Sequence, residues 1–443
     1  MVAFHTRGLG KYENILIIHG HSSRGRRSLY SSSIEDGVAK TMERDSELRE
    51  RAAQVIPGGM YGHMSVLRRM PPEYPQYFER AEGCHLWDVD GNEYIDYMCS
   101  YGPMIAGYAN PRIRAAADAQ RAQLDIANAP APVIVELAER LVKQISHADW
   151  AVFAKNGNDA TTICVMCARA CADQPVILVA NGAYHGAQPW ANYMSKGTPK
   201  EDHQHFLPYQ FNNIESLDEA ASKAHGRLAG IIVSAFRHDA GHHQELTDLQ
   251  FAKRVREICD REGAALILDD VRAGLRLSLD ASWSALGIHP DLSAWGKGIA
   301  NGEPLAAVLG NDFYREAMTK IFVTGSFWYQ AAPMAAAIET LNVLSEQNGP
   351  QLMERLGQQL RSGLYEQAQR HGHGIIQSGP PQMPTLMFED DPKAEKGIAF
   401  CGLAVKEGVY LHPWHNMFLS TAHTENEIEK TLEATDRAFR QLS

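Results

Sequence analysis

The chain has 443 residues, 44% hydrophobic and 21% charged, with a formal net charge of −11. That supplies core for one large or two moderate domains, and the acidic balance argues against a nucleic-acid binder. No apolar run is long enough to span a bilayer, and MVAFHTRGLGKYENILIIHGHSSRGRR lacks the apolar stretch and cleavage site of a secretory signal. A cytoplasmic protein without membrane or nucleic-acid partners is expected. The seven cysteines form no framework of spaced pairs. Cys164 and Cys167 have CxxC spacing, but Cys171 follows in the same apolar run, which fits buried thiols along a helix.

In chain order, residues 1–40 are polar and basic around SSRGRRSLYSSS and predict a flexible extension. A helical segment over 48–55 ends at Pro57-Gly58-Gly59. Asp90-Gly91 then divides alternating runs over 85–97, a strong hairpin signal. From 102 to 330, short apolar strands at 150–153, 176–179, 230–233 and 264–268 alternate with helical patterns such as 249–262. This order predicts an α/β fold with a mainly parallel sheet covered by helices on both faces. The remainder opens on a helix-forming run, passes a short strand at 408–411 and ends in an amphipathic helix at 425–442. The expected organisation is a large domain over 102–330 and a smaller α+β domain from both chain ends, 41–101 and 331–443.

Several residues can carry chemistry. The strand at 264–268 runs into Asp269-Asp270, and open α/β sheets bind ligands beyond the carboxyl ends of their strands. A carboxylate there can face a protonated ring, or simply cap a turn. Lys297 lies between Gly296 and Gly298 in SAWGKGIANGEPLAAVLG. Lysine forms Schiff bases with carbonyl groups, and flanking glycines allow close backbone approach. Lys155 competes for the role, since it also follows an apolar strand. At the next helix start, Asn158 or Asp159 can cap, and the N–H groups of Gly157 and Asn158 favour a phosphate. In Gly182-Ala-Tyr-His-Gly186, Tyr184 can stack on a ring, and His185 is either a base or a hydrogen-bonded loop residue. His203 and His205, and then His238, Asp239, His242, His243 and Glu245, crowd two segments without HExxH or one-face spacing. Solvated loops are expected there, and no metal.

Together these pieces resemble the class III pyridoxal-phosphate aminotransferases of fold type I, from about residue 48 to the C-terminus. CSYGPMIAGYANP is similar to a stretch of the glutamate-1-semialdehyde aminomutases. RERAAQVIPGGMYGH, MCSYGP, GAYHGA, DDVRAGLRL, VTGSFW and LHPWHNMFLSTAH look most like the fumonisin B1 aminotransferase subgroup, which deaminates long-chain amino polyols. The resemblance implies pyridoxal 5′-phosphate as cofactor and roles position by position. Lys297 matches the Schiff-base lysine and Asp269 the carboxylate paired with the ring nitrogen. Gly157 and Asn158 match the phosphate-cradling pair, Tyr184 the stacked residue, with His185 after it. Ser326 takes the place of a threonine that reaches the neighbouring subunit's cofactor, which implies a homodimer with shared sites.

The departures bear on the substrate. Gly157-Asn158-Asp159 replaces Gly-Thr-Glu, Ser234-Ala235 replaces Glu-Pro, and Asp270 stands where many relatives have Glu. Tyr61-Gly-His-Met-Ser65 lacks the arginine with which the aminomutases hold a carboxylate. A pocket with Tyr61, His63, Tyr101 and Trp328 suits an amine with an apolar or hydroxylated tail and no α-carboxylate; Arg68, Arg237 and Arg272 remain available to a carboxylate. The expected activity is transfer of the amino group of such an amine to a keto acid such as pyruvate. The alternatives are an aminomutase and a cofactor-binding protein without catalysis.

Overall fold

Leu228–Ser234 and Ala265–Asp269 are buried along their whole length, as strands covered on both faces must be. They lie in a seven-stranded sheet with the order Trp150–Ala154, Ala306–Gly310, Leu292–Trp295, Ala265–Asp269, Leu228–Ser234, Val176–Ala180, Phe206–Tyr209. Ala306–Gly310 runs antiparallel to both its neighbours, and the other pairings are parallel, so the sheet is mainly parallel as expected. The computed structural model describes residues 42–66, 70–192 and 196–442; the extension expected at 1–40 lies outside them. Phe206–Tyr209 escapes the sequence pattern because it carries Pro208, tolerated here on an edge strand.

Helices cover both faces. On one, Gly157–Ala172 packs Ile163, Cys164 and Cys167 with Ile177, Ile232, Ile267 and Val308. The CxxC cysteines are therefore core residues, and all seven cysteines are free thiols. On the other face, Leu178, Ile231, Leu266 and Leu268 pack with Leu217 of Ile214–Ala224 and with Phe251, Val255 and Ile258 of Leu249–Glu262.

A second sheet draws on both ends of the sequence. Phe78–Glu82, His85–Asp88 and Glu93–Asp96 form an antiparallel meander, and Val409–Tyr410 joins Glu93–Asp96 in parallel. The Asp90-Gly91 turn is where the sequence put it. Gly91 takes φ +83°, and Asp88 Oδ1 accepts from the N–H groups of Asp90 (3.0 Å) and Asn92 (2.8 Å). Helix Ala331–Glu346 packs back on Pro111–Gln123 and Val133–Gln144. Asp125 holds its start, accepting from Ala331 N at 2.8 Å and Ala332 N at 3.0 Å.

One turn matters most for the site. Cys99, Ser100 and Tyr101 have φ of +46°, +53° and +62°, followed by Gly102 at +113°. Each left-handed non-glycine residue costs roughly 1–2 kcal/mol, so the surroundings must hold the turn. Asp96 does so from one side, accepting from Met98 N at 2.7 Å, Cys99 N at 2.8 Å and Tyr108 Oη at 2.8 Å. Arg276 does so from the other, donating to Gly102 O at 2.6 Å and to Leu419 O, with its guanidinium 4.9 Å from the Phe418 ring centroid. Arg276→Met should therefore lower the unfolding free energy by about 2–4 kcal/mol, because two buried carbonyls lose their donor. Urea denaturation tests this, and an unchanged midpoint would show that the turn stands without the arginine.

Candidate active site

Strand Leu292–Trp295 delivers the glycine-flanked lysine. Gly296 is extended, and Lys297 then takes φ +46° to open a single 3-10 turn, Lys297–Ala300. A side chain at Gly298 would press on Ile105 at 3.3 Å, and one at Gly102 would meet Lys297 Cδ at 3.2 Å. The glycines thus let the backbone come close and leave room for the lysine stem. Nζ donates to Tyr101 O at 2.9 Å, so the strained turn aims a carbonyl at the amine. Lys297 forms no ion pair among the described residues. Burial pushes its pKa down to about 7; Arg272 and Arg276 push the same way, and Asp269 opposes them.

Asp269 closes its strand with its carboxylate buried. Oδ1 accepts from Val271 N at 3.1 Å, and Oδ2 lies 2.7 Å from His185 Nδ1. Asp270, next in sequence, is turned elsewhere: Ser282 bonds both its oxygens, at 2.9 Å from the backbone N–H and also through Oγ. Burial raises its pKa to about 7. Adjacent carboxylates therefore have separate environments, one paired with an imidazole and one locked to a serine.

The phosphate-ready helix start is next to both. Helix Gly157–Ala172 opens after Asn156, whose N–H donates to Asp159 Oδ2 at 3.0 Å. A Cβ at Gly157 would sit 2.5 Å from Val271, and one at Gly186 would sit 2.4 Å from Asn158 Cβ. Val271 also lies 3.3 Å from the Cβ position of Gly296. The Asp269 turn, the helix start and the lysine loop are thus packed against one another through glycines. His185, tied to this set by Thr161 Oγ1 donating to its carbonyl at 2.7 Å, has a buried Nε2 without a hydrogen-bond partner. A half-buried amine held by one carbonyl, a fixed strand-end carboxylate and a helix N-terminus fit pyridoxal phosphate.

The other expected residues are distributed unevenly. Tyr184 is 55% exposed, beside His185. Tyr101 Oη donates to His63 O at 3.2 Å, and the two rings meet edge to face at 4.8 Å. Tyr61 is exposed nearby in sequence. Arg237 is engaged by Asp239 at 2.8 Å and Glu245 at 2.7 Å. Trp328 is half-buried, whereas Ser326 is exposed between the exposed Phe322 and Phe327. Arg68 lies outside the described residues. Lys155, the competing lysine, ties Pro304 O (2.9 Å) to Gln330 Oε1 (3.0 Å) and has a structural task. No metal-holding cluster occurs among the described residues. Sequence reasoning missed His415 and Asn416, which bond Arg272, and the Tyr101 carbonyl. Only the quoted LHPWHNMF run hinted at the first two.

The class-III aminotransferase family model matches residues 69–438. The chain is 50% identical over 396 residues to an aminopentol aminotransferase of Sphingopyxis macrogoltabida, covering 89% of this chain and 94% of the relative. It is 32% identical over 432 residues to a glutamate-1-semialdehyde 2,1-aminomutase of Desulfatibacillum aliphaticivorans, covering 90% and 100%. Among solved structures, the PLP form of the FumI protein of Sphingopyxis sp. MTA144 matches with a TM-score of 0.88 at 50% identity, covering 89% of this chain and 95% of that one. An omega-transaminase from Sphaerobacter thermophilus matches with a TM-score of 0.81 at 24% identity, covering 90% and 97%, a likeness of fold.

The lowered pKa of Lys297 has a measurable consequence in the cofactor-free protein. Below pH 7 the folded state carries a buried ammonium that Lys297→Met lacks. Between about 7 and 10.5 the unfolded lysine binds more protons than the folded one, so wild-type stability gains on the variant as pH rises. The stability advantage of Lys297→Met should be flat and largest below pH 7 and shrink toward pH 10. A pH-independent gap in urea denaturation would refute a depressed pKa.

Proposed function

Because the chain belongs to the class III aminotransferase family, we propose that it moves the amino group of a long-chain amino alcohol or polyol, lacking an α-carboxylate, to a keto acid such as pyruvate. Class III aminotransferases use pyridoxal phosphate, and the relative at 50% identity bears the name aminopentol aminotransferase. The observation that carries the reading is Lys297: half-buried, bonded to one carbonyl, with a pKa pushed down to about 7.

When bound, the cofactor supplies a protonated ring that accepts the electron pair left on the substrate carbon. Asp269, held by Val271 N and His185 Nδ1, keeps a proton on the ring nitrogen. The N–H groups of Gly157 and Asn158 hold the phosphate at the helix N-terminus. Tyr184 would stack on the ring. Lys297 Nζ holds and moves the proton at the substrate carbon, and a pKa near neutrality suits it to act as base and then as acid. Ser326 of a second copy completes the phosphate site in a homodimer. Its exposure in the single chain, between exposed Phe322 and Phe327, supports this. Tyr61, His63, Tyr101 and Trp328 are the side chains assigned to a hydroxylated aliphatic tail, and the edge-to-face contact of Tyr101 with His63 supports this for two of them. No helix among the described residues is long and apolar enough to cross a membrane. The seven free thiols support a cytoplasmic location.

The test is a half-reaction screen on the cofactor-loaded protein, following loss of the long-wavelength cofactor absorbance as amines are added singly. A long-chain 2-amino-3-hydroxy compound should react well, β-alanine and glutamate semialdehyde poorly, and an aryl-alkyl amine in between. Pyruvate should restore the band, and Lys297→Ala should reduce turnover to background. Reaction with carboxylated amines alone would sink the substrate reading. Product formation without any keto acid would point to an aminomutase.

A further inference from the structure

An aminotransferase that takes an amine without a carboxylate still has to accept a keto acid, which has one. Resting on the aminotransferase reading above, we propose that Arg272 is the anchor for the carboxylate of the keto-acid acceptor, with His415 and Asn416 aiming its guanidinium.

Arg272 lies three residues after Asp269, on the turn that packs against the phosphate helix and the lysine loop through Val271. Nη1 donates to His415 Nε2 at 3.2 Å and to Asn416 Oδ1. Both acceptors are held in that role from behind. His415 Nδ1 lies 2.6 Å from Asn416 O, which places its proton there and leaves Nε2 as a lone pair. Asn416 Nδ2 donates to Met417 O at 3.0 Å, which turns Oδ1 toward the arginine. The backbone N–H of His415 in turn donates to His412 Nδ1 at 3.0 Å. The LHPWHNMF segment is therefore a built mount for one guanidinium.

The mount is neutral. Among the described residues no carboxylate forms an ion pair with Arg272, and its Nε is buried without a hydrogen-bond partner. By contrast Arg237, the other described arginine considered for this role, already has two carboxylates. The positive charge of Arg272 also helps to push the Lys297 pKa down, after burial. His238 is buried with Nδ1 unpartnered, and burial first, then the charge of Arg272, pushes its pKa down. Burial pushes both His238 and His415 far toward the neutral form, so neither competes for an anion. A cation with open donors beside a Schiff-base lysine fits a small α-keto acid, whose carboxylate accepts from the guanidinium fork while its carbonyl reaches the amine. Amines without a carboxylate, in the other half-reaction, leave Arg272 on its neutral mount.

The cofactor-loaded Arg272→Gln protein separates the two half-reactions. Its acceptor half-reaction with pyruvate should fall about 10- to 100-fold, at least tenfold more than its half-reaction with the long-chain amine. Its preference for pyruvate over acetaldehyde should collapse. Propionate, which cannot react, should compete with pyruvate for the wild-type protein and bind at least tenfold more weakly to the variant. Asn416→Asp retains the arginine but gives it a permanent carboxylate partner, so it should raise the pyruvate KM about tenfold and report even if Arg272→Gln does not fold. Equal losses in both half-reactions, unchanged propionate binding, or a tenfold loss of pyridoxal phosphate affinity in Arg272→Gln would overturn the inference. A wild-type protein that converts no amine would instead refute the parent reading, whatever the arginine variants do.

Discussion

The site depends on the desolvation of one half-buried amine. A buried ammonium is costly unless it is paired. At Lys297 the chain supplies a backbone carbonyl in place of a carboxylate. That leaves the charge undercompensated and draws the group toward neutrality, the form in which lysine is a nucleophile. The solution has structural costs. The carbonyl of Tyr101 is presented by three consecutive left-handed residues, and that turn is held between Asp96 and Arg276. Glycine at 102 leaves space for the lysine stem. Removing any one of these would leave the others without a purpose.

The surrounding charges are arranged so that they do not cancel the amine's reactivity. Asp269 is occupied by His185 and by the Val271 amide, and Asp270 by Ser282. Arg272 and Arg276 are mounted on neutral acceptors, His415 and Asn416 in one case and backbone carbonyls in the other. Two cations without an ion-pair partner among the described residues reinforce the low pKa of Lys297, and one of them can also serve a visiting anion. The same electrostatics thus tune the lysine and prepare a place for a carboxylate, which is how one pocket can handle two unlike substrates in turn.

How much of this the sequence disclosed depends on the range of each interaction. The mainly parallel sheet, the hairpin at Asp90-Gly91 and the helix over 157–172 follow from local periodicity and turn chemistry, and the structure agrees with them. The edge strand Phe206–Tyr209 carries a proline and no alternation to mark it. Lys297, Asp269, Gly157 and His185 were legible because each follows a strand or opens a helix, where side chains and N–H groups gather at the carboxyl ends of the sheet. Ser326 was legible only through likeness to a family, and the single chain leaves it and Tyr184 exposed.

By itself, then, the sequence determined which elements form and which side chains end them, because backbone preference and hydrophobic period are properties of neighbouring residues. Tertiary structure decided which of those groups meet. Tyr101 and Lys297 are 196 positions apart, and Arg272 and His415 are 143 apart. No periodicity reaches that far. Those pairings exist because the packed core leaves one place for each buried polar group, and each must find a partner there or pay for its lost water.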